Sequence, residues 1–357
     1  MLDLAALFRL VNEQDASDLH LRTGLPPRLR VHGELVVAAG LPPAEAHDLA
    51  ALIDQSLHDA QRERFDAQGE VDCACVAEDG TRYRANYFRS AGGLGASFRR
   101  IPSEIRSLDQ LGIPQEVDEL AHVRNGLVLV TGATGSGKSS TLAALIDVIN
   151  GQYMRHIVTI EDPVEFVHQN QRSIVHQRCV GEDVVDFATG VRDALRADVD
   201  VLMIGELRDL ETTRAALTAA ETGMLVFGTL HTNDAAQTID RMIDIFPLGE
   251  QDQVRAMLSE SLEGVLSQTL LTRADRHGRV AATELLLTTP AIQSLIREGR
   301  THEIPNCLQG GRDKGMCRLD DSLEQLLRQG AISRDEAISA ARSRSRFDPR
   351  KLSPVGS

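Results

Sequence analysis

Leu127-Val-Leu-Val-Thr131 runs directly into Gly132-Ala133-Thr134-Gly135-Ser136-Gly137-Lys138-Ser139, and the helix-forming run Ser140 to Ile149 follows. A short apolar strand, a glycine loop ending in Gly-Lys-Ser and a helix together make the context of a Walker A phosphate loop. The glycines let backbone N–H groups converge on phosphate oxygens, where a Cβ would obstruct them. The helix N-terminus adds its partial positive charge. Lys138 is expected to reach the β- and γ-phosphates, and the Ser139 hydroxyl to hold Mg²⁺. The candidate nucleotide-binding residues are Gly132, Thr134, Gly135, Ser136, Gly137, Lys138, Ser139 and Ser140. ATP and Mg²⁺ are the expected ligands.

Working outward, short apolar runs alternate with helical stretches from Gly126 on. His156 to Ile160, Val201 to Ile204 and Leu225 to Thr229 join Leu127 to Thr131 as strands buried on both faces of a parallel sheet. The helices between them supply right-handed crossovers. Asp200-Val-Leu-Met-Ile-Gly-Glu206 reads as a Walker B strand, in which Glu206 acts on Mg²⁺ or its waters. Ser139 and Glu206 are thus the candidate metal residues. The strand ending at Ile160 delivers Glu161-Asp162-Pro163-Val164-Glu165 to the same sheet edge, and Pro163 stops it. One of these carboxylates is a candidate to polarise the attacking water. Leu225 to Thr229 leads into Leu230-His231-Thr232-Asn233, which makes His231 a candidate sensor of the γ-phosphate.

A chain of 357 residues suggests two domains. Residues 1–105 read as a small α/β domain: helical spacing over Leu2 to Val11, strands at Asp18 to Leu21, Arg28 to Val31, Arg82 to Phe88 and Ser97 to Arg100, and a loop at Gly92-Gly93 and Gly95. Residues 106–122 are the expected linker, 123–341 the second domain with a C-terminal helical part, and 342–357 an Arg/Ser/Pro-rich tail expected to be disordered. Val254, Met257, Leu258, Leu262, Val265, Leu266 and Leu270 space as one apolar helix face, and residues 319–342 as a helical pair. Aromatics are 3% with no Trp, so aliphatic side chains are expected to fill the core. The net charge of −14 argues against nucleic acid as the main ligand, because phosphate backbones call for a basic surface. Five scattered cysteines with no CxxC pair fit free thiols in a reducing cytosol rather than a disulfide framework. The N-terminus has no signal-peptide pattern, and no run of 18 apolar residues is present.

Taken in order, ASDLHL (16–21), RYRANYF (82–88), FRRIPS (98–103), TGATGSGKSSTLAALID (131–147), TIEDPVEF (159–166), GELRDLETTRAALTAAETG (205–223), FGTLHTNDAAQTIDRMIDIFP (227–247) and RAMLSESL (255–262) carry a family resemblance. The chain resembles the PilT-like ATPases of the secretion-ATPase superfamily, which also includes type II secretion and type IVa pilus extension motors. The resemblance implies an α/β architecture: an N-terminal PAS-like domain, then a RecA-like P-loop domain with a mainly parallel sheet and C-terminal helices. It implies a homohexamer that powers pilus retraction and twitching motility. Such a ring would lie at the cytoplasmic face of the inner membrane against a pilus platform protein, with a paralogous retraction ATPase as a further partner. Carried over by motif, Glu161 matches the catalytic glutamate, Glu206 the Walker B acid and His231 the second histidine of the His box. Arg82, Arg84 and Arg99 fall in the segment that presents arginines to a neighbour's γ-phosphate.

Three departures stand out. Met224 occupies the place of the first His-box histidine, and Gly92 falls where the family commonly has an arginine. The AIRNLIRE signature, tied to retraction, is Ala291-Ile-Gln-Ser-Leu-Ile-Arg-Glu298 here. A PilU-like accessory subunit is the nearest rival reading, and a DNA-translocating motor on the same core is a more distant one.

Overall fold

The computed structural model describes residues 3–31, 33–101, 104–275 and 278–347. One compact unit takes the chain up to Glu104 together with Pro163–Val167; the other takes Ile105–Asp162 and the chain from His168 on.

The first unit holds an antiparallel sheet of six strands. They are β1 (Asp18–Arg22), β2 (Arg28–Val31), β3 (Glu34–Val37), β4 (Glu70–Val76), β5 (Arg82–Ser90) and β6 (Gly93–Ile101), in the order β3-β2-β1-β6-β5-β4. Alternation decides the faces. Tyr83, Ala85 and Tyr87 point into the core, and Arg82, Arg84 and Asn86 lie on the other face. Helices Leu4–Glu13, Ala46–Ser56 and Asp59–Gln68 contribute Leu7, Phe8, Leu49, Leu52 and Phe65 to that core. Of the nine Phe and three Tyr in the chain, Phe8, Phe65, Phe98, Tyr83 and Tyr87 gather here, set among a majority of aliphatic side chains such as Leu19, Leu21, Leu29 and Leu49, which fill most of this core as composition suggested. Phe8 stacks on Tyr83 with ring centroids 3.9 Å apart and meets Phe98 edge-on. The expected glycine loop is also corrected: Gly93 and Gly95 lie in β6, where a Cβ on Gly95 would sit 2.5 Å from the Phe88 ring.

The second unit is a seven-stranded sheet: β7 (Gly126–Thr131), β8 (His156–Glu161), β9 (Ile174–Cys179), β10 (Val201–Ile204), β11 (Leu225–Leu230), β12 (Leu262–Thr272) and β13 (Arg279–Leu287). The order is β13-β12-β7-β11-β10-β8-β9, with neighbours parallel except for β12 and β13. Every residue of β7, β10 and β11 is buried, as strands covered on both faces must be. Helix Lys138–Gln152 packs on one face, with Leu142, Leu145 and Ile146 against Val128 and Val130. Helices Phe187–Ala194, Leu210–Glu221, Ala235–Asp244, Gln251–Ser261 and Pro290–Arg297 cover the other. The expected pair near the C-terminus is present as Leu319–Arg328 and Arg334–Ala340. Among the described residues no helix is long and apolar enough to cross a membrane.

Two expectations are overturned. The apolar face extrapolated from Val254 to Leu270 is not one helix: the helix ends at Ser261 and β12 begins at Leu262. In β12, Leu262 and Val265 enter the core on one face of the sheet and Leu266 and Leu270 the core on the other, so its apolar residues lose strict alternation and imitate helical spacing. The tail expected to be disordered is folded through Phe347, which is 1% exposed in a cluster with Leu271, Val280 and Leu323. Residues 348–357 lie outside the described residues, as do Leu2 of the expected first helix and Pro102 and Ser103 beside the expected linker. The remainder of that segment contributes Leu108, Ile113, Val117 and Leu120 to the second unit's core.

Candidate active site

Parallel pairing brings four strand ends to one edge. β7 ends at Thr131 opposite Leu230 of β11, Gly228 of β11 lies opposite Ile204 of β10, and Ile204 lies opposite Ile160 of β8. The phosphate loop, His231, Glu206 and Glu161 therefore leave the carboxyl edge of adjacent strands, where parallel α/β sheets place ligands.

The loop's backbone is shaped by glycine. Gly132, Gly135 and Gly137 have φ of 140°, 79° and 94°. A Cβ on Gly132 would lie 2.3 Å from the Gln268 carbonyl oxygen and 2.6 Å from Ser136 Oγ, so side chains are excluded there on two counts. Ser136 is buried and its amide donates to the Ala133 carbonyl at 3.1 Å, closing the turn. Ala133, Thr134 and Gly135 are exposed. Gly137 is the N-cap of helix Lys138–Gln152, and no side chain caps it. Asp186, Asp209, Asp234, Thr289 and Ser333 each accept from the amide three residues on at five other helix starts of this unit, while Glu119–His122, Gln251–Ser261, Ile304–Gly310 and Leu319–Arg328 also start without a side-chain cap. A helix start without its own acceptor, and with no acid in its first turn, suits an anion brought from outside. Lys138 Nζ donates to the Gly132 and Ala133 carbonyls at 2.8 and 3.1 Å, which folds its ammonium back over the loop. Ser139, exposed, and Ser140, half-buried, complete the first turn.

The two acids sit differently. Glu161, the last residue of β8, is 9% exposed, and its Oε1 accepts from Thr159 Oγ1 at 2.7 Å and from Gln177 Nε2 at 3.1 Å. Its carboxylate is thereby aimed by its own strand and by β9. Glu206 follows the turn at Gly205, whose amide donates to the Ile160 carbonyl at 2.8 Å and whose carbonyl accepts from the Thr229 hydroxyl. Glu206 Oε1 lies 3.5 Å from His231 Nε2. These two half-exposed side chains thus face each other across β10 and β11. Thr159, Gln177 and Thr229 escaped the sequence reading. Thr159 was legible as the residue sharing Glu161's face two positions earlier, but the β9 pairing that supplies Gln177 was not.

Arg82, Arg84 and Arg99 lie in the first unit, on the sheet face away from its core. Arg84 and Arg99 are direct cross-strand partners, and Arg82 pairs with Ile101. Arg99 Nε donates to Asp18 Oδ1 at 2.9 Å. Burial pushes the Asp18 carboxyl up, but the Ser17 hydroxyl and the Arg99 guanidinium together outweigh it and hold the group below its ordinary value. Arg84 Nε is 3.6 Å from Asp72, with both side chains about half exposed, a loose pair that constrains little.

Two of the departures acquire a physical reading. Met224 precedes β11 at the edge opposite the phosphate loop and is 8% exposed in the apolar core. At about 3.3 Å per residue it is roughly 20 Å from His231. In helix Pro290–Arg297, Ile292, Leu295 and Ile296 are buried, and the changed residues Gln293 and Ser294 are only half-buried.

A family model described as Type II/IV secretion system protein matches residues 3–339. The chain belongs to that family. The type IV pilus retractation ATPase PilT of Pseudomonas aeruginosa is 48% identical over 341 residues, covering 96% of this chain and 98% of that protein. The type IV pilus ATPase PilU of the same organism is 37% identical over 344 residues, covering 96% of this chain and 89% of that protein. A crystal structure of the pilus retraction motor PilT with bound ADP matches with a TM-score of 0.89 and 43% identity over 99% of each chain.

Proposed function

We propose that this chain is an ATP-hydrolysing subunit of a homohexameric motor that powers type IV pilus retraction. The observation that carries the reading is the convergence of the uncapped phosphate loop, Glu161, Glu206 and His231 on one edge of the second unit's sheet. The near-complete match to a retraction motor crystallised with ADP supports it.

In this account the loop amides and Lys138 bind the β- and γ-phosphates of ATP, and Glu161 takes up the proton of the attacking water. Ser139 and Glu206 supply hard oxygen donors of the kind Mg²⁺ takes when most of its shell comes from phosphate and water. Bound there, Mg²⁺ would neutralise charge on the phosphate oxygens. His231, facing Glu206, contacts the γ-phosphate region. The likeness to a pilus retraction motor supports an inner-membrane platform protein as the partner, with the chain at the cytoplasmic side of that membrane, and the net charge of −14 argues against nucleic acid in that place. Deleting the gene is expected to give hyperpiliated cells whose pili do not retract; normal retraction in the deletion strain overturns the pilus role.

Arginines from a neighbouring subunit, Arg84 with Arg82 and Arg99, stabilise transition-state charge, a role worth about 10³ to 10⁵ in rate in related phosphoryl transfer. The guanidinium fork suits this because it grips phosphate in two places. Arg84→Ala is expected to keep ATP binding and lose hydrolysis. Mixing Arg84→Ala with Glu161→Gln subunits is expected to restore part of the turnover, since some interfaces then pair an intact arginine with an intact glutamate. No recovery after verified subunit exchange contradicts a shared site.

A further inference from the structure

Glu284, in the middle of β13, carries a carboxylate that is 1% exposed. Such a charge needs compensation. Its Oε1 accepts from the amide of Ala235, the first residue of helix Ala235–Asp244, at 3.1 Å. Its Oε2 lies 2.9 Å from Arg342 Nη1. The other terminal nitrogen, Arg342 Nη2, donates at 3.1 Å to the carbonyl of Asn233, two residues after His231. It also stands 3.8 Å from Asp234, which caps the same helix. One guanidinium therefore ties a buried charge, a helix start and the backbone leaving β11.

The segment that carries Arg342 is itself anchored. The amides of Arg342 and Ser343 donate to the two oxygens of Asp320 at 2.9 and 3.0 Å. Phe347 is buried four residues later. Arg342 thus reaches the 231–234 loop from a fixed base. Nothing else in the function proposed above uses this buried pair.

We propose that Arg342, with Glu284 as its counter-charge, is a positioning residue that holds the 231–234 loop so that His231 stays opposite Glu206. The C-terminal segment then sets catalytic turnover without touching nucleotide. This rests on the reading of His231 as a residue that acts on ATP. A misplacement of about 1 Å costs up to roughly 10²-fold in rate, and one lost tether of several is expected to cost about 10-fold.

The test is a double-mutant cycle on the purified full chain, with KM and kcat for ATP measured separately. Arg342→Ala is expected to lower kcat about 10-fold and leave KM within about twofold, while adding less than about twofold in a His231→Ala background. Arg342→Lys is expected to fall between, because an ammonium keeps the charge beside Glu284 but lacks the fork to reach Asn233 as well. Equal losses in both backgrounds, an effect on KM alone, or an unchanged kcat overturns the positioning role. If Arg342→Ala does not fold, Glu284→Gln/Arg342→Ala, which leaves no lone buried charge, carries the same expectations. A wild-type chain without turnover contradicts the functional reading instead, so the two failures are distinguishable.

Discussion

Lys138→Ala is expected to reduce ATP turnover to assay background while the chain stays folded. The ammonium bridges two carbonyls of its own loop at 2.8 and 3.1 Å. Losing two such hydrogen bonds on a partly exposed loop costs about 1 kcal/mol each, and alanine is at least as good a helix former as lysine. A domain stable by about 5–15 kcal/mol tolerates that. In the proposed site, what is not tolerated is loss of the one cation that the glycine loop itself supplies for the β- and γ-phosphates. Circular dichroism checks the fold and phosphate release checks turnover. A folded Lys138→Ala chain with normal hydrolysis removes the basis of the site assignment.

Glu161→Gln is expected to keep ATP binding and lower hydrolysis by at least about 10²-fold, the contribution of a positioned general base. The geometry makes this substitution a clean one. Thr159 and Gln177 both donate to Oε1 of Glu161, and the glutamine carbonyl oxygen accepts the same two bonds. Shape and packing persist, and the charge that draws a proton from water is gone. Glu206→Gln is the comparison, because Glu206 faces His231 and is proposed, with Ser139, to serve the metal. Turnover stopped by Glu206→Gln and barely slowed by Glu161→Gln would mean that the two acids exchange roles. Binding of a fluorescent ATP analogue separates loss of affinity from loss of chemistry.

The phosphate loop was legible because its chemistry is local: strand, glycines, lysine and helix are contiguous from Leu127 to Ile149. The strand ends carrying Glu161, Glu206 and His231 were legible because β8, β10 and β11 are short apolar runs ended by polar residues. Illegible features were those created by pairing between distant segments. β12 imitated a helix because both its faces are covered. β9 carries a mixed pattern, Ile174-Val-His-Gln-Arg-Cys179, that no periodicity separates from a loop, so Gln177 could not be placed beside Glu161. Arg342 was assigned to a disordered tail on composition, whereas its order comes from Asp320 and Glu284, far from it in sequence. Met224, a worrying substitution by motif, is a core residue at the opposite end of its strand from the phosphate loop.

Steady-state ATP consumption by the purified wild-type chain, measured with Mg²⁺ and again with excess EDTA, tests the central claim most directly. The account predicts saturable turnover that needs the divalent cation and disappears with EDTA. A folded chain that binds ATP in the presence of Mg²⁺ and leaves it intact, as a subunit and as an assembled ring, contradicts it.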